Sequence, residues 1–193
     1  YQILPRLAAL SEVQWTMPEK KNYLDFLSRL PQIIDIYDLY GYNYARHILD
    51  VSITDKVDIK NRDLEVSLST LGNDSIFYTL DGSLPDRNSY LYKGVLKIDS
   101  SVTLIAMAYR NNQMSQVSSL KVDCNKATFK PVTLHSELSR MHVYGGASML
   151  VDGIIGSTRP DDARWLGFPK GFEAVIDLRQ QTVSYTHLTL PTT

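Results

Sequence analysis

One stretch, IFYTLDGSLPDRNSYLYKGVLKIDSSVTLIAMAYR from Ile76 to Arg110, constrains the fold more than any other. It opens with Ile76, Phe77, Tyr78 and Thr79, β-branched and aromatic residues suited to a pleated, half-buried surface. Asp81-Gly82 follows, a pair that tolerates positive φ and reverses an extended chain, and Pro85-Asp86 lengthens the reversal into a loop. Gly94 to Ile98 reads as a second short strand, closed by Asp99-Ser100-Ser101. Val102, Leu104, Ala106 and Ala108 then alternate with Thr103, Ile105, Met107 and Tyr109, so both faces are fairly apolar, as in a strand covered on each side. Short strands broken by frequent turn signals predict an antiparallel sandwich. Leu64-Glu65-Val66-Ser67-Leu68 begins it, Ser115 to Val122 supplies a closing strand, and Asp123 to Lys126 reads as a linker.

Upstream the period is helical. Ile3, Leu4, Leu7, Ala8 and Leu10 fall on one stripe, with Pro5 acceptable in a first turn. Thr16 and Glu19 fit a capping box with Pro18 inside the first turn, and predict a helix turning Tyr23, Leu24, Phe26, Leu27 and Leu30 inward. Pro31 restarts the pattern, and Ile33, Ile34, Tyr37 and Tyr40 line a third helix that Gly41 stops. These faces are wide, and the chain offers no sheet for them to cover. The change from helical to extended period puts a boundary between residues 48 and 56. Downstream, Ala147 to Gly156 sets an Asp-Gly turn beside an apolar run, and Arg164 to Phe168 and Phe172 to Leu178 read as two strands joined through Pro169-Lys170-Gly171. About 55 residues are marginal for an independent core.

Composition narrows the function classes. A net charge of −1 over 193 residues lacks the clustered basic surplus of a nucleic-acid binder. There is no run of about 18 apolar residues that would span a bilayer. Cys124 is the lone cysteine, so no internal disulfide can form. The chain opens on Tyr1 without an initiator Met or a basic-then-apolar leader, and reads as a piece of a longer polypeptide.

Three stretches point to one family. LPRLAALSEVQW (Leu4–Trp15), PEKKNYLDFLSRLP and LYGYNYARHI resemble the end of the catalytic barrel in bacterial β-N-acetylhexosaminidases of glycoside hydrolase family 20, where the last barrel helix ends in a Glu-x-x-Trp run matched by Glu12-Val13-Gln14-Trp15. IFYTLDGSLPDRNSYLY and SVTLIAMAYRNNQMS resemble the small sandwich domain that follows the barrel. ASMLVDGIIGS, RWLGF and FEAVIDL resemble the opening strands of a discoidin-like, galactose-binding-type module. The resemblance implies a multidomain chain of mixed α and β class. It would comprise the last helices of a (β/α)8 barrel over 1–50, an immunoglobulin-like antiparallel β-sandwich over 55–124, a truncated discoidin-like module over 127–182, and an appended tail over 183–193.

It also implies an exo-acting parent enzyme that releases terminal N-acetylglucosamine or N-acetylgalactosamine from a glycan, without a cofactor, in the periplasm, at the cell surface or after secretion. The family works by substrate assistance: a Glu gives the proton and the sugar's acetamido oxygen attacks, held by a neighbouring Asp. That Asp-Glu pair belongs upstream of Tyr1, and no adjacent Asp-Glu occurs in this chain. Hence no catalytic, substrate-binding or metal residue is assigned, and the chain alone is expected to be inactive. The rival expectation is a non-catalytic carbohydrate-binding or adhesive module, and a truncated module that binds nothing is a third.

Individual residues support structural roles better than chemical ones. Trp15 could be a sugar platform but reads as a core anchor, and Glu12 lacks the partner and pocket of a proton donor. Asp81, Asp86, Asp152, Asp161 and Asp162 could bind calcium, yet their spacing matches no calcium loop and fits turns. His47, His135, His142, His187 and Cys124 have no metal spacing. Trp165 reads as core and Arg164 as a surface charge. Tyr37 and Tyr40 read as core, with Tyr42 and Tyr44 set against the sandwich.

Overall fold

The computed structural model describes residues 3–72, 74–110, 112–140, 144–158 and 163–179. Helix α1 (Arg6–Trp15) begins just after Pro5, which stands at its N-cap. Helix α2 runs unbroken from Tyr23 to Leu39. Its cap is Asn22, whose Oδ1 accepts the backbone N–H groups of Leu24 (3.0 Å) and Asp25 (3.2 Å), satisfying two of the free donors of a first turn.

The capping box predicted at Thr16 is therefore absent. Thr16 ends α1, and its hydroxyl donates to Glu12 Oε1 at 3.2 Å. Pro31 does not divide the segment either. A helix-interior proline costs about 3 kcal/mol, but Phe26, Leu30 and Ile34 recur at four-residue spacing across it and all are buried. Burying such side chains is worth about 1.5–3 kcal/mol each, which outweighs the lost hydrogen bond. Gly41, at φ +66°, ends the helix as predicted. With Tyr44 these residues form a helical core joined by Leu4, Ala9, Leu27, Ile33, Tyr37, Ile48, Leu49 and Leu71. Tyr23, Leu24 and Tyr40, predicted to face inward, are exposed.

The strands are β1 (Ser52–Asp58), β2 (Asp63–Ser69), β3 (Ser75–Thr79), β4 (Tyr90–Leu91), β5 (Leu96–Ile98), β6 (Val102–Arg110), β7 (Gln113–Met114) and β8 (Ser118–Val122). One sheet has the order β1-β2-β5. The other has β4-β3-β6, with β7 and β8 also paired to β6, and every pair is antiparallel. The chain passes from β2 to β3, back from β4 to β5, and over again to β6, so the two sheets are interleaved in sequence. The pleat sends Leu64, Val66 and Leu68 of β2 to the same interior as Ile76, Ile98, Leu104, Ala106, Ala108, Leu120 and Val122. This is the predicted sandwich. Gly82 adopts φ +83°, and Asp81 Oδ1 accepts the Ser83 N–H (3.0 Å) and hydroxyl (2.6 Å). Between β7 and β8 the ladder skips, and Ser115 bridges the gap. Its N–H donates to Ala108 O (2.8 Å) and its Oγ accepts the Ala108 N–H (2.9 Å).

Beyond Val122 the structure departs from expectation. Ala147 to Val151 lies in a 3-10 helix (Gly146–Val151), followed by a turn at Asp152-Gly153 with Gly153 at φ +74°. Arg164 to Phe168 is not a strand. The short strand β10 (Ala174–Ile176) pairs instead with β9 (Val132–Leu134). The apolar residues here are too few to build a layer of their own, and they lean on the sandwich: Phe129 joins its core, and Asp123 N–H donates to Gly153 O at 2.8 Å.

Candidate functional site

The most unusual surface belongs to the helices. None of the residues of α1 is buried, and Leu7, Leu10, Val13 and Trp15 stand exposed along it, with Tyr23, Leu24, Ile36, Leu39 and Tyr40 exposed on α2. Trp15, expected as a core anchor, is 88% exposed, because among the described residues no surface faces the end of α1. Glu12 is held by Arg29, whose Nη2 lies 2.7 Å from Oε1 and which also reaches Asp25. The hydrogen bond from Arg29 keeps the Glu12 carboxyl below its ordinary pKa, so it is an ionised ion-pair partner and not a poised acid. The ring of Tyr40 stacks on that of Tyr42, with centroids 6.0 Å apart, in the open. Tyr44 is buried. Its hydroxyl donates to Asp38 Oδ1 at 2.9 Å, and burial with that carboxylate pushes its pKa up to about 12.

The helices are tied to the sandwich through Arg110, the last residue of β6. Its Nη2 donates to Asp35 Oδ1 (2.6 Å) and to Pro31 O (3.3 Å), while Nη1 donates to Asp74 Oδ1 (3.4 Å). A cavity of about 130 Å³ lies beside this node, lined by Tyr44, Arg46, Asp50, Arg110 and Gln116 among others. Its small size and charged walls suit water or an ion better than a sugar ring.

A second node ties the C-terminal segment to the sandwich. Arg164, predicted as a surface charge, is half-buried and bidentate to Asp55 of β1, with Asp152 Oδ2 at 3.9 Å. Asp152 is 4% exposed, and burial raises its pKa to about 6. Its Oδ1 accepts the Ile154 N–H, the turn role expected of it. Trp165, expected in a core, is 46% exposed and donates its Nε1–H to Ser157 O at 2.9 Å. The apolar run around it suggested a strand, and without a strand nothing turns the ring inward.

Asp81 and Asp86 likewise serve turns. Asp86 accepts from the Asn88 N–H and the Ser89 hydroxyl, and such hydrogen bonds hold both carboxyls below their ordinary pKa. Asp161, Asp162, His142, His187 and the tail lie outside the described residues. Among the described residues, potential metal donors converge in a group of three only at Asp58, Asp63 and Glu65, not at His47, His135 or Cys124. The alternation Asp63-x-Glu65 was visible in the sequence. Asp58 becomes their neighbour only through the β1–β2 hairpin, because the alternation that marks the sandwich in the sequence starts at Leu64.

The family described as Fn3 associated matches residues 66–122, most of the sandwich. Over 132 residues, 64% of the chain, the sequence is 28% identical to a protein named Beta-hexosaminidase from Porphyromonas gingivalis (strain ATCC BAA-308 / W83). The chain spans about 16% of that relative's length. The chain is thus distantly similar to a protein named as a hexosaminidase, and it contains a β-sandwich matched by the Fn3-associated family.

Proposed function

We propose that this chain is the C-terminal accessory part of a β-N-acetylhexosaminidase of glycoside hydrolase family 20. In this reading residues 1–50 are the last helices of the catalytic barrel. The sandwich, 55–124, braces them, and 127–182 begins a discoidin-like module that holds glycan near the active site. Hydrolysis of terminal N-acetylhexosamine proceeds by substrate assistance on residues upstream of Tyr1, in a protein exported to the periplasm, the surface or the medium.

The observation that carries the reading is α1. A ten-residue helix with Leu7, Leu10, Val13 and Trp15 all exposed is stable chiefly when an apolar surface covers it. A missing barrel supplies that surface, and the hexosaminidase relative, roughly six times longer than the matched share, is a protein that could contain one. The ion-paired Glu12 and the turn-bound aspartates fit a segment that does no chemistry itself.

The test is an assay with a chromogenic N-acetylglucosaminide on the full-length natural protein and on residues 1–193. Turnover by the former and none by the latter is expected. Turnover by residues 1–193 alone, or a full-length protein that cleaves no hexosaminide, overturns the reading.

A further inference from the structure

The one grouping of metal donors noted above has no role in bracing a barrel. Asp58 closes β1 and Asp63 opens β2 directly across the hairpin, and Glu65 follows two residues on, so the pleat sets all three on one face of the sheet. One ligand oxygen from each lies within 4.8 Å of the others. Asp58 is held in place by the Lys60 and Asn61 backbone N–H groups and by the Asn61 side-chain amide. Like charges this close repel and call for a cation.

Two lysines flank the trio: Lys56 opposite Glu65 on β1 and Lys97 opposite it on β5. Lys97 pairs with Asp63 through Oδ2 and leaves Oδ1 unanswered. Lys97 Nζ is 3.9 Å from Asp63 Oδ2, beyond hydrogen-bond reach, and its side chain is 58% exposed. Asp63 Oδ1 is buried and accepts no hydrogen bond among the described residues, on a residue only 7% exposed. An ionised carboxylate oxygen can take only a donor or a cation, and leaving it with neither is costly.

We infer that Asp58, Asp63 and Glu65 form a site for a hard divalent cation of calcium size. An all-oxygen donor set selects such ions over zinc or copper. Asp58 and Glu65 are half-buried and open to water, which can complete the roughly six to eight ligands calcium takes. Three carboxylates without a dedicated loop place the affinity on the order of 10⁻⁴–10⁻³ M, the range of extracellular modules.

The experiment is calorimetric titration of the chelator-treated chain with calcium chloride, paired with melts at matched ionic strength in sodium chloride. The site gives one calcium per chain and a higher melting temperature in calcium. Glu65→Gln, nearly isosteric and half-exposed, weakens binding about tenfold or more by removing one of three charged ligands. Asp86→Asn, in a turn elsewhere, leaves binding unchanged. Asp63→Asn abolishes calcium binding yet leaves the calcium-free protein as stable as before or more so, because it relieves repulsion within the trio. No calcium-dependent heat or melting shift overturns the site, as does binding of unchanged affinity in Glu65→Gln. Destabilisation of the calcium-free protein by Asp63→Asn overturns it too, since it shows Lys97 to be the working counterion.

Discussion

Replacing Arg110 by Met tests how the helices are held to the sandwich. Met keeps much of the side-chain length and apolar stem and removes the charge. Three contacts disappear: Asp35 at 2.6 Å, Pro31 O at 3.3 Å and Asp74 at 3.4 Å. They are not equal. The Asp35 side chain is 58% exposed and is rehydrated when released, so its loss costs no more than about 1 kcal/mol. The Asp74 side chain is only 10% exposed, and its Oδ2 already lacks a partner. Stranding a buried charge costs about 3–5 kcal/mol, reduced here because the bond is long. The expected total is about 2–4 kcal/mol, or a fall in melting temperature of about 5–15 °C for a chain of this size. Urea unfolding followed by far-ultraviolet circular dichroism and by fluorescence of Trp15 and Trp165 measures it. The decisive comparison is Arg110→Met combined with Asp74→Asn, which removes both charges and should restore most of the loss, leaving about 1 kcal/mol. A single variant within about 0.5 kcal/mol of wild type, or a double variant no better than the single, would refute the reasoning.

Three further outcomes are expected. Asp152, at about 6 in the fold against 3.8 for a free Asp, holds its proton in the native state at pH values where the unfolded chain has lost it. Its contribution is therefore most favourable below about pH 4 and is lost as pH rises to about 6. Asp152→Asn should flatten that slope and gain at most about 3 kcal/mol at pH 7, read from melts across pH. Asn22→Ala removes both cap hydrogen bonds of α2 and should cost about 1 kcal/mol by urea titration, with Asn22→Ser recovering most of it. Leu104→Ala, at a wholly buried site between the sheets, should cost about 2–5 kcal/mol by the same assay.

The sandwich was legible because its signals are local. Alternation in Val102–Ala108 and the Asp81-Gly82 reversal are properties of neighbouring residues, and β3, β6 and the turn between Thr79 and Ser83 lie where they were expected. β1 carries no strand signal of its own because five of the seven residues in Ser52–Asp58 are polar, and their strand character comes from pairing with β2. Pro31 is a helix break by local preference alone, while the stripe Phe26-Leu30-Ile34 acts over the whole helix and overrides it. The strand expected at Arg164–Phe168 failed for a related reason. Its apolar content was real, but a bidentate bond from Arg164 to Asp55 fixes the segment through charge, across 109 residues of sequence. The acidic trio was hidden in the same way, two of its members standing two residues apart in sequence and the third supplied by a hairpin.

The central claim is that the apolar outside of α1 is an interface with a body this chain does not supply. Hydroxyl-radical footprinting of Trp15, compared between residues 1–193 and the full-length natural protein, tests it most directly. Trp15 at 88% exposure should label heavily in residues 1–193 and be protected in the longer protein. Equal labelling in both would contradict the claim.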